Sequence, residues 1–286
     1  MAGTQFLLRT MGADPVSLRL AETLAAVLHT PPIFVCDETR GPAETGPWAK
    51  LSITRETMRG LGFTGLPDNW GWLWGDMCYQ IAAAHIPDAD HFCLIESDVY
   101  LPPAGAGAFV DALSSSPVAA IAGRLRRYKD TQKFSRPLGR IGLDPHWGCI
   151  FPISRVSRNM IAAMGTLRQE ATRAAPPHRL NDEGVLVGAV QRGGFSHAPL
   201  EDVAPDQVSP DTFETNPPHL FEALVARTHE TRIFHPVVTR DTVIARVQSG
   251  EKNYNRHRLR KVMRMADADD RAAIDAALNT GVAGTP

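Results

Sequence analysis

The chain has 286 residues and a formal net charge of −1, with 43% hydrophobic and 21% charged residues. This composition is typical of a globular protein and excludes an intrinsically disordered chain. The near-neutral charge argues against a protein that binds nucleic acid through an overall positive field, so we expect no nucleic-acid partner.

The sequence also bears on compartment. No stretch approaches the roughly 18–20 apolar residues that a membrane helix requires, and the apolar run within Met1–Arg9 is too short for a signal peptide. The four cysteines, at positions 36, 78, 93 and 149, are widely spaced and form no Cys-x-x-Cys pair. Such cysteines are typical of small buried side chains in a reducing compartment. We therefore expect a cytoplasmic protein.

The first 36 residues predict a strand, a helix and a second strand. Gln5 to Leu8 forms a short strand-like run. A helix opens at Asp14-Pro15, with Asp14 as its cap and Pro15 in the first turn, where the missing N–H costs nothing. The apolar run Ile33–Cys36 is typical of a strand covered on both faces, as in a parallel sheet. Together these elements form one βαβ unit.

The same alternation continues to about residue 122, and then loosens. After a loop at residues 40–50, the predicted elements are a short helix capped by Ser52 or Thr54, a long helix from Asn69 to Pro87, a strand at 91–95, a helix at 105–113 and a strand at 118–122. Later elements are a strand at 147–152, helices at 155–168, 180–191 and 258–278, and a Pro-rich loop at 199–218.

This alternation predicts an α/β fold with a Rossmann-like, open and mostly parallel sheet and helices on both faces. We assign residues 1–250 to one catalytic domain and residues 251–286 to a basic C-terminal helix and tail.

The strongest chemical signal follows the strand at residues 91–95. Glu96 and Asp98 are two positions apart, so they can point to the same side of an extended chain. Open α/β sheets bind ligands at this carboxyl end of their strands. Hard divalent cations prefer oxygen ligands, often carboxylates together with substrate phosphates. The pair therefore predicts a site for Mg²⁺ or Mn²⁺.

Glu96-Ser97-Asp98 resembles the Asp-x-Asp motif of GT-A-type glycosyltransferases. The resemblance implies a nucleotide-diphospho-sugar transferase fold, in which the last acid of the motif, Asp98 here, coordinates the metal that bridges the two donor phosphates. The first position holds Glu96 instead of aspartate, and we assign it a contact with the ribose or the metal.

Three later segments resemble those of the same family and occur in its order. Trp147-Gly148 resembles the glycine-containing segment beneath the donor sugar. Asp182-Glu183 resembles the acidic segment at a helix start that supplies the catalytic base, and the order of its acids leaves both residues as candidates. His235 resembles the late histidine that completes the metal site, and a histidine ligand suits Mn²⁺ better than Mg²⁺.

The resemblance also implies donor contacts. Arg9 and Thr10 end the first strand, Asp37 ends the second, and Asp76 lies before the acidic motif; corresponding places in the family contact the base and ribose. We therefore expect a hexosyltransferase-like enzyme that takes a UDP- or GDP-sugar and transfers the sugar to a glycan or other acceptor hydroxyl, as in surface-polysaccharide or glycoconjugate synthesis.

Two alternatives stay open at this point. The same carboxylates could serve a nucleotidyltransferase-like enzyme or a metal-dependent phosphohydrolase, and a non-catalytic member of the fold could bind carbohydrate. The tryptophans at 70, 72 and 74 could stack on a sugar, although packing in the core is favoured. The basic run at residues 252–261 could meet a diphosphate, a polyanionic acceptor or the inner membrane surface, and a solvated helix face is favoured.

Overall fold

The computed structural model describes residues 3–67, 70–174 and 180–281. Asn69, the predicted start of the second long helix, and residues 282–286 of the predicted tail lie outside these ranges, as does the side chain of Trp72. Among the helices in these ranges, none combines the length and the apolar character needed to cross a membrane.

The described residues form nine strands and twelve α-helices. The strands are β1 (Gly3–Thr10), β2 (Ile33–Asp37), β3 (Lys50–Ile53), β4 (Ala89–Glu96), β5 (Ala120–Arg127), β6 (Trp147–Ser157), β7 (His197–Pro199), β8 (His219–Leu220) and β9 (Val237–Val238). The helices are α1 (Pro15–Ala25), α2 (Arg55–Gly60), α3 (Trp70–Leu73), α4 (Met77–His85), α5 (Pro103–Ser115), α6 (Arg158–Arg173), α7 (Asp182–Gly193), α8 (Leu200–Val203), α9 (Phe221–Val225), α10 (Arg240–Gln248), α11 (Arg260–Met265) and α12 (Ala268–Gly281), with a 3-10 helix at Arg136–Ile141.

Seven strands form one open sheet in the order β3-β2-β1-β4-β6-β5-β7. Strands β3, β2, β1 and β4 are parallel neighbours, and so are β5 and β7. Strand β6 runs antiparallel to both of its neighbours, β4 and β5. The predicted fold class, an open and mostly parallel α/β sheet, is confirmed.

Both faces of this sheet are covered, because alternate residues of its strands enter two separate cores. Leu7 and Leu94 belong to a cluster that includes residues of α4, α6 and α7. Leu8 and Ile95 belong to a second cluster with residues of α1 and α5. Strands that are buried on both faces read as continuous apolar runs, which is why β2 and β4 stand out in the sequence.

Several predicted local features are confirmed. Asp14 caps α1, with its side chain accepting from the amide of Ser17 at 2.8 Å, and Pro15 is the first helical residue. Thr54, rather than Ser52, caps α2. All four cysteines are free and buried.

Three elements differ from the prediction. Strand β3 falls at the end of the predicted loop and forms by pairing with β2. The long helix predicted from residue 69 to 87 is interrupted between α3 and α4. The last predicted helix is divided into α11 and α12.

The C-terminal elements form a further core of their own. This cluster joins Leu220, Val238, Val243 and Val247 to buried residues of the last forty positions, among them Tyr254 and Leu259. A smaller cluster connects this region to the sheet, because Val16 and Tyr100 pack with Phe234 and Val237. The residues on either side of position 250 therefore share one core.

Candidate active site

His235 reaches the acidic motif because the backbone holds the two segments together. The amide of Val237 donates to the carbonyl of Asp98 at 2.7 Å, and Tyr100 and Phe234 exchange two backbone hydrogen bonds at 3.0 Å. On its other side, the amide of His235 donates to the carbonyl of Thr212 at 2.9 Å. The histidine is thus fixed beside the end of β4, although the two segments are far apart in the sequence.

Glu96, Asp98 and His235 form a cluster whose potential ligand atoms all lie within 4.8 Å of one another. Nε2 of His235 is 3.5 Å from Oδ1 of Asp98, and its Nδ1 faces the carbonyl of Glu214. A histidine whose Nδ1–H donates to a carbonyl presents Nε2 to a metal, and such a partner fixes the ring in ligating proteins. Two carboxylates and one imidazole fit a divalent cation.

The ionisation of the three groups is linked. Burial raises the pKa of Glu96, and the carboxylate of Asp98 adds to this shift, although Arg9 opposes it. Burial also acts to raise the pKa of Asp98, but His235 outweighs it, so the pKa is lowered. The pKa of His235 is raised, because the interaction with Asp98 outweighs its burial.

Arg9 connects this cluster to the second acidic segment. Its Nη1 lies 2.6 Å from Oε1 of Glu96 and 3.1 Å from Oδ2 of Asp182, and its Nη2 donates to the carbonyl of Gly71 at 2.8 Å. Burial acts to lower the pKa of Arg9, but the two carboxylates outweigh it and raise the pKa. The guanidinium is therefore held between residues of β4, α3 and α7.

The two candidate bases have different surroundings at the start of α7, which Asn181 caps. Asp182 is buried, and Oδ2 accepts from Nη1 of Arg9 and from the amide of Gly75, both at 3.1 Å. Glu183 is half-buried, and among the described residues its carboxylate has one donor, the side-chain amide of Asn181 at 3.2 Å. Glu183 is therefore the acid with the more accessible carboxylate.

Burial raises the pKa of both acids. The pKa of Asp182 is raised to about 6, with Glu96 adding to the effect of burial and Arg9 opposing it. The pKa of Glu183 is raised to about 8, chiefly by burial and next by the charge of Asp182. A carboxylate with a pKa in this range can accept a proton near neutral pH.

A cavity of about 470 Å³ opens at the carboxyl end of β1, β2 and β4. Five of the residues predicted as donor or metal contacts line it: Arg9, Thr10, Asp37, Glu96 and Asp98. Its other polar lining residues include Asp14, Thr239, Thr242 and Arg246. The volume lies within the range of about 300–1,000 Å³ that is usual for small-molecule sites.

The wall of this cavity is shaped by the segment from Trp70 to Asp76. Trp70 and Trp74 line the cavity and are also buried in the core that α4 and α6 share, as the core interpretation predicts. A Cβ at Gly71 would lie 1.7 Å from Oδ2 of Asp37. Only glycine therefore lets α3 approach the end of β2 this closely.

Asp76 occupies a different place from the one expected of a nucleotide contact. Its side chain is fully buried, and it forms an ion pair with Arg168, whose guanidinium stacks over the ring of Trp74 at 4.3 Å. Asp76 is not among the described residues that line the cavity. Its contacts hold the helix break in place rather than face a ligand.

Trp147 and Gly148 lie at the start of β6 and are not among the described residues that line the cavity. Sγ of the next residue, Cys149, lies 3.9 Å from the carbonyl oxygen of Glu183. The ring of Trp147 packs edge-on against His197 at 5.1 Å. Within this segment, Cys149 is therefore the residue that contacts the second acidic segment.

Arg246 is a residue of the cavity that the sequence analysis missed. It lies on α10 and donates to the hydroxyl of Tyr254 at 2.7 Å, with its guanidinium 5.0 Å from the centre of that ring. Its charge contributes to the lowered pKa of Asp98. No local pattern in the sequence marks this arginine, which precedes the basic run at residues 252–261.

Fold and site together define an α/β protein with a carboxylate–histidine cluster at the carboxyl end of its central strands. No protein-family model matches the chain, and no curated protein matches it. Solved structures do resemble it. One is a glycosyltransferase involved in the glycosylation of the major capsid of PBCV-1, with 12% identity and a TM-score of 0.39, over 82% of this chain and 92% of that one.

Two further structures belong to another transferase class. A candidate glucose-1-phosphate thymidylyltransferase from Bacillus anthracis has 8% identity and a TM-score of 0.39, over 68% of this chain and 86% of that chain. The inositol-1-phosphate CTP transferase from T. maritima has 9% identity and a TM-score of 0.38, over 68% and 84%.

Proposed function

We propose that this chain is a metal-dependent glycosyltransferase that moves a sugar from a nucleotide-sugar donor to a hydroxyl of a glycan or other acceptor. The observation that carries the proposal is the cluster of Glu96, Asp98 and His235, whose two acids line a cavity of small-molecule size. The cavity lies at the carboxyl end of parallel strands, where open α/β sheets bind their ligands.

The polarity of the cavity fits a nucleoside diphosphate. Asp37 and Thr10 lie at the ends of β2 and β1, where they can take the hydroxyls of a ribose. Asp98 is the most exposed acid of the cluster, with 42% of its side chain accessible, and Arg246 faces it from α10. The diphosphate accordingly belongs between Asp98 and Arg246.

Glu96, Asp98 and His235 would hold the divalent cation, and the histidine favours Mn²⁺ over Mg²⁺. A bound cation would offset the negative charge that develops on the leaving nucleoside diphosphate. The guanidinium of Arg246, which also lines the cavity, adds a second positive charge, and a planar guanidinium matches phosphate oxygens well.

We assign the proton acceptor to Glu183. The carboxylate of Asp182 already accepts hydrogen bonds from Arg9 and from the amide of Gly75, so we assign it the role of holding these two residues in position. Glu183 is less buried than Asp182, and its raised pKa suits the removal of a proton from an acceptor hydroxyl as the sugar transfers. We assign Trp147 and Gly148 to the donor sugar, as the resemblance implies, since the next residue, Cys149, contacts the carbonyl of Glu183.

The first experiment measures thermal stability with UDP, GDP and their sugar conjugates, each with and without Mn²⁺. A ligand present at about a hundred times its dissociation constant adds about 2.7 kcal/mol to the free energy of unfolding. We expect stabilisation that requires nucleotide and Mn²⁺ together. Asp98→Asn and His235→Ala should remove it, whereas Asp88→Asn, an exposed acid without a hydrogen-bond partner among the described residues, should retain it.

The outcomes separate the alternatives. Stabilisation without release of free or transferred sugar would indicate a non-catalytic binding protein. Release of pyrophosphate from a nucleoside triphosphate would indicate a nucleotidyltransferase, and release of inorganic phosphate a phosphohydrolase. The proposal fails outright if no nucleotide stabilises the folded protein in the presence of Mn²⁺.

A further inference from the structure

The C-terminal helices enclose a second cavity, of about 840 Å³, which shares no lining residue with the first. Most of its lining side chains are cationic: Arg256, Arg258, Arg260, Lys261, Arg264 and Arg271. Among the described residues, its one acidic lining side chain is Asp275. A chain with a net charge of −1 thus concentrates strong positive charge around one concave surface.

Part of this charge is already satisfied within the protein. Arg256 pairs with Asp275 at 2.7 Å, and Arg271 donates to the carbonyls of Met263 and Ala266, each at 3.0 Å. These contacts fix the walls of the cavity. They leave the guanidinium groups of the remaining arginines to face solvent or a ligand.

Of the three remaining arginines, Arg260 contacts His257, which leaves Arg258 and Arg264. Both are exposed, and neither side chain has a hydrogen bond or ion pair with another described residue. Burial lowers the pKa of nearby Lys261, and the charge of Arg264 adds to this shift. Like charges around a concave surface repel one another and focus a positive potential, which an anion would neutralise.

We propose that this cavity is a binding site for a phosphate-bearing ligand, separate from the donor cavity. Arginine guanidinium groups bind phosphate oxygens through paired, charge-assisted hydrogen bonds. The volume admits a group as large as a diphosphate with its attached alcohol. The phosphate can belong to a soluble molecule or to a lipid headgroup at a membrane surface, since both offer the same anionic oxygens.

The site also adjoins the segment that carries His235. Nζ of Lys261 donates to the carbonyl of Asp211 at 2.8 Å and lies 3.4 Å from Nε2 of His219. The amide of His219 in turn donates to the carbonyl of Pro236 at 2.8 Å. A ligand bound here would therefore be linked through Lys261 and His219 to the segment that carries His235.

The test uses inorganic pyrophosphate and the full chain, with EDTA present so that no divalent cation loads the donor cavity. Isothermal titration calorimetry should show binding that weakens as salt is added. A charge-assisted hydrogen bond contributes about 1.5–3 kcal/mol, so Arg258→Ala/Arg264→Ala should weaken binding by at least about tenfold. The matched control is Arg59→Ala/Arg140→Ala, which removes two exposed arginines elsewhere and should leave binding unchanged.

A parallel arm distinguishes the source of the phosphate. Sedimentation measures binding to vesicles of phosphatidylcholine with phosphatidylglycerol and to vesicles of phosphatidylcholine alone. The difference between the two reports binding to anionic headgroups. The site is assigned to a lipid headgroup if the original protein binds anionic vesicles but not pyrophosphate, and if the Arg258/Arg264 variant loses the vesicle binding. The proposal is overturned if the protein binds neither pyrophosphate nor anionic vesicles, or if the control variant loses binding as much as the Arg258/Arg264 variant does. Nucleotide stabilisation with Mn²⁺ should persist in both variants, so the two proposals can fail separately.

Discussion

At the scale of single residues, Asp182 and Glu183 are neighbours with different surroundings. The carboxylate of Asp182 is enclosed by Arg9 and Gly75, and its Oδ1 accepts from the amide of Glu183 at 2.9 Å. Glu183 has less contact with the protein and the higher pKa. The sequence left open which of the two acids is the catalytic base, and this difference is why we propose Glu183.

The pH dependence of transfer tests that assignment. A base must be deprotonated to act, so kcat/KM should rise about tenfold per pH unit below the pKa of the free enzyme's base. If Glu183 is the base, the rise should continue to about pH 8. A rise that levels near pH 6 would assign the role to Asp182 instead. Glu183→Gln should abolish the rise together with most of the activity.

Stability gives an independent check on the same group. The folded protein holds the proton of Glu183 up to about pH 8, whereas the ordinary pKa of this carboxyl is 4.5. Between these values the folded state binds more protons, so the free energy of unfolding should fall as pH rises. Glu183→Gln should reduce that fall. Urea denaturation at several pH values measures this dependence. If the free energy of unfolding falls equally with pH in the variant and the original protein, the pKa of Glu183 is not raised.

Gly75 is a second residue whose role the structure defines. A Cβ there would lie 2.2 Å from Nη1 of Arg9 and 2.5 Å from Oδ2 of Asp182. Gly75→Ala should therefore lower the free energy of unfolding by about 1–3 kcal/mol, the usual cost of overpacking, and weaken nucleotide binding by displacing Arg9. Urea denaturation measures the first effect and calorimetric titration the second.

Gly107 provides the matched control. It lies within α5, and a Cβ there would meet no atom within 4 Å. Alanine is favoured over glycine in a helix interior by roughly 0.5–1 kcal/mol, so Gly107→Ala should stabilise the protein slightly. Equal effects of the two substitutions would contradict the close approach at Gly75.

The sequence predicted the residues of the carboxylate–histidine cluster but not the contacts that join them to the rest of the site. Asp98 and His235 were found because short segments resembled a known family. The bridge that Arg9 forms between Glu96 and Asp182 spans 173 positions and has no local signature. Arg246 was missed for the same reason, since a single arginine on a surface helix is unremarkable until the fold places it beside Asp98.

At the scale of elements, the break between α3 and α4 is the feature that builds one wall of the cavity. Apolar residues at helical spacing continue through this region, so the sequence predicted one long helix. The break is stabilised by distant partners: the amide of Gly75 donates to Asp182, and Asp76 pairs with Arg168 of α6. A local pattern cannot reveal such long-range contacts.

The buried pair between Asp76 and Arg168 makes a testable contribution to this break. Removal of one partner from a buried ion pair leaves an unpaired charge and costs about 3–5 kcal/mol. Asp76→Ala should therefore lower the free energy of unfolding by about that amount, as measured by urea denaturation. Arg192→Ala, which breaks the exposed pair between Arg192 and Glu170, should cost at most about 1 kcal/mol. Similar costs for both would show that the Asp76 pair is not desolvated.

The strands also differ in whether the local sequence or a distant partner determines them. β2 and β4 were predicted because their continuous apolar runs reflect burial on both faces. β3 has only four residues, and its place in the sheet depends on pairing with β2. The antiparallel direction of β6 is set by the connections around it, which the composition of the strand does not encode.

At the scale of the whole molecule, the sequence predicted a catalytic domain at residues 1–250, followed by a C-terminal helix and tail at residues 251–286. The structure bears on whether the first part can fold without the second. The third core draws four of its buried residues from before position 250, and seven from after it, from Tyr254 to Leu278. An ion pair of 3.1 Å between Arg240 and Asp270 also joins α10 to α12. These contacts indicate that α10 needs the last helices for its position.

Truncation tests whether the two parts are one cooperative unit. Burial of a large aliphatic side chain contributes about 1.5–3 kcal/mol, so loss of Leu259, Val262, Ile274 and Leu278 should destabilise the chain severely. A chain that ends at Gly250 should therefore unfold at a much lower temperature than the full protein. A chain that ends at Gly281 retains every residue of this core and serves as the control.

The same truncation separates folding from function. Tyr254 accepts the hydrogen bond of Arg246, so its removal should free that guanidinium from its place beside Asp98. If the shortened chain still folds, its stabilisation by nucleotide with Mn²⁺ should be weakened, and Tyr254→Phe in the full chain should reproduce part of that loss. A shortened chain with unchanged unfolding and unchanged nucleotide binding would show instead that residues 1–250 form an independent domain, as the sequence predicted, and that the shared core contributes little to holding α10.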